Sequence, residues 1–136
     1  MLEPTLSPDA WWVAQFRTSG SRPPLFCACS GGGDASEYCD FAKALPDDQP
    51  VYAFGLPPLG RELQFLGVEQ LAAVYVRKVR ELQERGPYQL CGFSFGGLVA
   101  YEMAAQLAEK GMEIALLALI DTQHPRHSKN LSAWDK

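Results

Sequence analysis

The chain predicts an α/β fold in three layers, a mostly parallel sheet with helices on both faces. Stretches of β-favouring apolar residues alternate along the sequence with stretches of helical periodicity. Most strand candidates are apolar throughout rather than alternating, as strands are when helices cover both faces of a parallel sheet. The turns that carry glycine or reactive side chains follow the ends of strands, the rim at which open sheets of this kind bind ligands. With 136 residues, 47% of them hydrophobic, the sequence has apolar surface enough for one modest domain and one core. No repeat, low-complexity tract or linker divides it.

Taken in order, residues 1–10 are polar, contain Pro4 and Pro8, and are expected to be a loose lead-in. Trp11 to Arg17 is aromatic and β-favouring, the composition of an edge strand. Thr18 to Pro24 is a turn or loop. Leu25 to Cys29 is a short apolar strand, followed by Ser30 and three glycines, Gly31 to Gly33. Asp34 is then placed to cap a helix, with Glu37 at the spacing of a capping box. Tyr38, Phe41, Ala42 and Leu45 form its apolar face, and Pro46 to Pro50 ends it. Val51 to Phe54 is the next strand, and Gly55 to Gly60 a stiff loop. A helix is predicted over 68–84, with Val68, Leu71, Tyr75, Val79 and Leu82 inward and Arg77, Lys78, Arg80 and Glu81 outward. Gly86 and Pro87 are its expected stop. Tyr88 to Cys91 is a strand. A helix follows from Phe95 to Lys110, with Leu98, Ala104, Leu107 and Ala108 inward. Ile114 to Ile120 is a fully apolar strand ending at Asp121, and 122–136 is a polar tail.

Between the strand at 88–91 and the helix at 95, Gly92, Ser94 and Gly96 fit G-x-S-x-G, the nucleophile-elbow pattern. A sharp strand-to-helix turn lifts the serine hydroxyl above the sheet edge. Side chains two residues to either side would collide there, so glycines flank it. The helix aims its N-terminal amides at any oxyanion formed beside the serine. Alone the three positions are weak evidence, arising by chance in about one such chain in twenty with glycine near 7%. The apolar strand before, the helix after and Gly97 for close packing strengthen them. The competing reading is an ordinary glycine-rich turn with a surface serine.

A net charge of −4 and a pI near 5.1, with no basic run, argue against nucleic-acid binding. The longest apolar run, Ile114 to Ile120, is too short to span a bilayer. Glu3 and Asp9 break the pattern of a secretory signal. Cys27, Cys29, Cys39 and Cys91 show no C-x-x-C pairing, so a reduced, cytoplasmic chain without a metal site is expected.

Together with the elbow, the runs P-L-F-C-x-x-x-G-G-G from Pro24, P-V-Y-x-x-G-L from Pro50, G-P-Y-x-L-x-G-F-S-F-G-G-L-V-A-Y-E-M-A from Gly86 and A-L-L-A-L-I-D-T from Ala115 resemble the thioesterase domains that end non-ribosomal peptide synthetases and polyketide synthases. The resemblance spans about residues 22–123. It implies an α/β-hydrolase fold, of which this chain would be the N-terminal portion. It implies acyl or peptidyl transfer from the phosphopantetheine thiol of a carrier protein to a serine, then release by water or an internal nucleophile, with no cofactor bound by the domain itself. By position, Ser94 would be the nucleophile and Asp121 the acid that orients a histidine. The amides of Phe95 and Gly31 would form the oxyanion hole, each worth about 3 kcal/mol.

The chain departs from the family twice. Cys29-Ser30 stands where members commonly have His-Pro, and the family's later lid and catalytic histidine have no counterpart up to Lys136. His124 is the weak candidate base, in the loop after Asp121; His127 is weaker. Losing the histidine of such a triad typically costs about a million-fold in turnover. Three functions follow as alternatives. One is a thioesterase portion that needs its histidine from elsewhere, the second a non-catalytic carrier-binding module, and the third a serine esterase using His124. The open edge of the 114–120 strand is expected to promote self-association.

Overall fold

The computed structural model describes residues 12–17, 20–30, 34–57 and 67–122. The expected lead-in and most of the tail lie outside them, as do Gly31, His124 and His127. Five strands form one sheet: β1 Val13–Arg17, β2 Leu25–Ala28, β3 Val51–Phe54, β4 Tyr88–Phe93 and β5 Ile114–Ile120. Their order is β1-β3-β2-β4-β5. β1 runs antiparallel to β3 at one edge, and all other pairs are parallel. The parallel connections carry helices, α1 Cys39–Ala44, α2 Val68–Leu82 and α3 Phe95–Glu109.

The helices divide between the two faces. α2 and α3 pack with Phe26, Phe54, Tyr88 and Leu90 in one buried cluster, and Trp12 closes its edge. α1 and the 3-10 turn before it, Ala35–Tyr38, cover Cys27, Val51, Ala53 and Cys91 on the other. β2 is therefore buried at every position, which is why it reads as an unbroken apolar run. Cys27 and Cys91 face each other in register across β2 and β4, and all four cysteines are free thiols. Burial pushes the Cys27 thiol up, so it packs as a small hydrophobe.

Several local expectations are corrected. Asp34 caps the 3-10 turn through the Ser36 amide, but Glu37 does not close a box; its carboxylate turns to Ser30 instead. α2 ends at Leu82, with Gln83 rather than Gly86 as its cap: the Gln83 backbone N–H donates to the Val79 carbonyl, and its side-chain Nε2 donates to the carbonyls of Arg85 and Pro87. Leu82 is consequently exposed. Ala108 also faces solvent, and Met103, Val99 and Ala100 fill the inner face of α3. β4 continues past Cys91 to Phe93, carrying the strand into the elbow.

Candidate active site

Ser94 stands alone between β4 and α3, exposed, at φ 51° and ψ −118°. L-residues rarely adopt such a backbone, at a typical cost of about 1–3 kcal/mol, and it persists only where surrounding contacts enforce it. The glycines show how. A Cβ on Gly92 would lie 2.0 Å from the Gly96 carbonyl oxygen, and one on Gly96 2.7 Å from those of Ala28 and Cys29. The first turn of α3 is thus pressed onto the ends of both β4 and β2. The Phe95 amide heads that helix, where N–H groups have no carbonyl partner within the helix itself.

β5 supplies the other side. The Ser94 N–H donates to the Ile120 carbonyl at 2.9 Å, and the Thr122 hydroxyl donates to the Ser94 carbonyl at 3.0 Å. Asp121 lies between these two anchors, exposed, with φ 52°. Both ends of the Ser94 residue are therefore tied to the residues flanking Asp121. Because β4 and β5 are parallel neighbours, nucleophile and acid candidates share one rim of the sheet. Thr122 also packs where Gly97 leaves room, since a Cβ there would sit 1.9 Å from its Oγ1.

Cys29 is buried, with its Sγ 3.0 Å from the Tyr75 hydroxyl, which donates to the Gly55 carbonyl at 2.6 Å. Burial raises its thiol, which disfavours the thiolate form. Sequence reasoning did not single out Thr122, Glu37 or the Tyr38 hydroxyl as parts of this rim. Tyr38 read only as a member of an apolar helix face, and no signal in the sequence says where its hydroxyl points. Among the described residues no group of three or more His, Cys, Asp or Glu could hold a metal ion, and no helix is long and apolar enough to cross a membrane. The groove of about 420 Å³ lined by Val76, Arg77, Arg80, Gln106 and Lys110 opens between α2 and the C-terminal end of α3, away from Ser94.

The family model of the thioesterase domain matches residues 23–136. The chain belongs to the thioesterase family. This makes it a member of a hydrolase family, and its relatives are large synthetases. It is 43% identical over 111 residues to malpibaldin synthetase of Mortierella alpina, covering 81% of this chain and 2% of that protein. It is 38% identical over 112 residues to a dimodular nonribosomal peptide synthase of Bacillus subtilis (strain 168), covering 82% of this chain and 5% of that one. Among solved structures, the NocB thioesterase domain from the nocardicin cluster superposes with a TM-score of 0.71 at 34% identity, over 82% of this chain and 50% of that one. The thioesterase chain thus spans a small fraction of the synthetases it matches and about half of that solved thioesterase domain.

Proposed function

We propose that this thioesterase chain accepts an acyl or peptidyl group from the phosphopantetheine thiol of a carrier protein. The Ser94 Oγ attacks the thioester carbonyl, the thiol leaves with a proton, and an ester forms on Ser94. Water or a nucleophile within the acyl chain then releases the product. Phe95 and Gly31 amides are assigned to the oxyanion, and Asp121 to orienting the histidine that serves as base. That histidine comes from a further segment or partner chain, with His124 as the weaker candidate. The observation that carries the reading is the strained, exposed Ser94, whose peptide is bonded on both sides to the residues flanking Asp121.

The test is mass spectrometry of the chain after incubation with loaded carrier protein. With the rest of the domain added, turnover and a mass increase on Ser94, absent in Ser94→Ala, are expected, and the chain alone should show little of either. Carrier binding without any Ser94 adduct in that complemented protein would instead identify a non-catalytic docking module. Turnover by the chain alone that vanishes in His124→Ala would make His124 the base.

A second reading concerns β5, whose apolar residues are largely uncovered, with Leu116 at 45% and Leu119 at 36% exposure. We infer that a second copy pairs along this strand. Light scattering should show a dimer or larger species that Leu116→Lys shifts towards monomer, and a monomeric wild type would refute it.

A further inference from the structure

The mechanism assigned above does not use a fully buried residue near the elbow, Tyr38, or its hydroxyl. Tyr38 is fully buried, its ring packed between Phe41 and Phe93 with centroids 6.1 and 5.5 Å away. Its hydroxyl donates to the Ala28 carbonyl at the end of β2. The same oxygen accepts from the Phe93 N–H at 3.2 Å, the last residue of β4 and the one before Ser94. A hydroxyl offers one donor and two acceptor sites, so it can serve both backbone groups at once. Ala28 and Gly92 are the last residues of β2 and β4 paired in register. Beyond that pair the strands are joined through Tyr38.

Glu37, next to it in the 3-10 turn, acts on the following residues of the same segment. Its carboxylate accepts from the Ser30 N–H at 2.8 Å and from the Ser30 hydroxyl at 2.5 Å. An amide and a hydroxyl of one residue are thus held by one carboxylate. The 3-10 turn therefore grips both the exit of β2 and the peptide that leads into Ser94.

We propose that Tyr38 and Glu37 are positioning residues for acyl transfer, setting the separation between the β2 exit at Ala28–Ser30 and the nucleophile at Ser94. The inference rests on the acyl-transfer reading given above. Reacting groups in an enzyme must be held close to their productive geometry, and a misplacement of about 1 Å can cost a hundredfold in rate. Neither residue touches the acyl group; both act by holding the backbone that does.

The test uses the whole chain with the rest of the domain added, and an alkyl fluorophosphonate, which forms an Oγ–phosphorus bond at Ser94 as fluoride leaves and the hydroxyl proton passes to the histidine base. Tyr38→Phe removes one oxygen. It is expected to slow phosphonylation about tenfold or more, and to speed amide exchange at Phe93 well beyond that at Leu90. Glu37→Ala, at the surface, is expected to fold like wild type and to slow labelling about threefold or more, with Glu37→Gln intermediate. A purely structural role would change exchange or stability and leave the labelling rate of the folded protein alone. The inference is overturned if Glu37→Ala and folded Tyr38→Phe label at the wild-type rate, or if the Phe93 amide is as protected in Tyr38→Phe as before. If Tyr38→Phe does not fold, the Glu37→Ala rate decides. A folded wild type whose Ser94 takes no phosphonate even with the rest of the domain added overturns the acyl-transfer reading itself and the positioning roles with it. Wild type that labels alongside variants that label equally overturns the positioning roles only.

Discussion

β4 and β5 are neighbouring parallel strands of similar apolar sequence with opposite surroundings. In β4, Tyr88, Leu90, Cys91 and Gly92 are buried, between α3 on one face and the 3-10 turn and α1 on the other. In β5 no residue is buried, although all seven are apolar. Both strands end on a residue with positive φ that is not glycine, Ser94 and Asp121. An apolar strand declares a need for cover on both faces; whether cover is supplied depends on what packs there. The same contrast separates the two candidate site residues. Ser94 is held by the close backbone contacts of the glycines around it, whereas Asp121 takes its place from the two bonds that join its neighbours to Ser94.

The largest expected effect tests the tight end of this comparison. Gly92→Ala would place a methyl group 2.0 Å from the Gly96 carbonyl oxygen, between two backbones that cannot both yield. It should destabilise the domain by about 3 kcal/mol or more, and a variant with wild-type urea midpoint would show that the elbow is looser than described. Next comes the pair Leu90→Ala and Leu116→Ala. Leu90 is fully buried, and its truncation should cost about 2–5 kcal/mol. Leu116 is exposed within the single chain, and at dilution where the chain is monomeric its truncation should change the midpoint by less than about 0.5 kcal/mol. Equal losses in the two at that dilution would mean that β5 is covered within the single chain, whereas a Leu116 loss that grows with protein concentration would report cover by a second copy.

The smallest effects concern the strand ends. Ser94→Gly should raise stability by about 1 kcal/mol, since glycine adopts the elbow conformation without strain, while ending any acylation. Asp121→Gly should gain only about 0.3 kcal/mol, because aspartate tolerates positive φ better than most residues. Thermal denaturation of both variants in one buffer decides this, and a larger gain at Asp121 would reverse the assignment of strain.

Much of the fold is legible in the sequence alone. The bounds of β3 and β5 coincide with those read from composition, because each is a short apolar run closed by proline, glycine or acid. Ser94 was legible from its flanking glycines and the change from strand to helix around it. The end of α2 was misread because Leu82 continues the apolar spacing, and the stop at Gln83 depends on carbonyls beyond the helix. The burial of Tyr38 agrees with its place on an apolar face, but its hydroxyl tie is not legible there for a related reason. A tyrosine on an apolar face packs like phenylalanine, and only the strand ends brought to it reveal the hydroxyl as a tie.

The sequence by itself determined the alternation of strands and helices, the strained turn at Ser94 and the family, since these rest on residues adjacent in the chain. Only the tertiary structure decided that β5 lies beside β4, that Asp121 therefore shares a rim with Ser94, and that residues of the 3-10 turn hold the ends of β2 and β4. The physical reason is range. Turn geometry and periodicity are set by neighbouring residues, whereas strand order and a hydroxyl joining two strand ends arise from the packing of segments far apart in sequence.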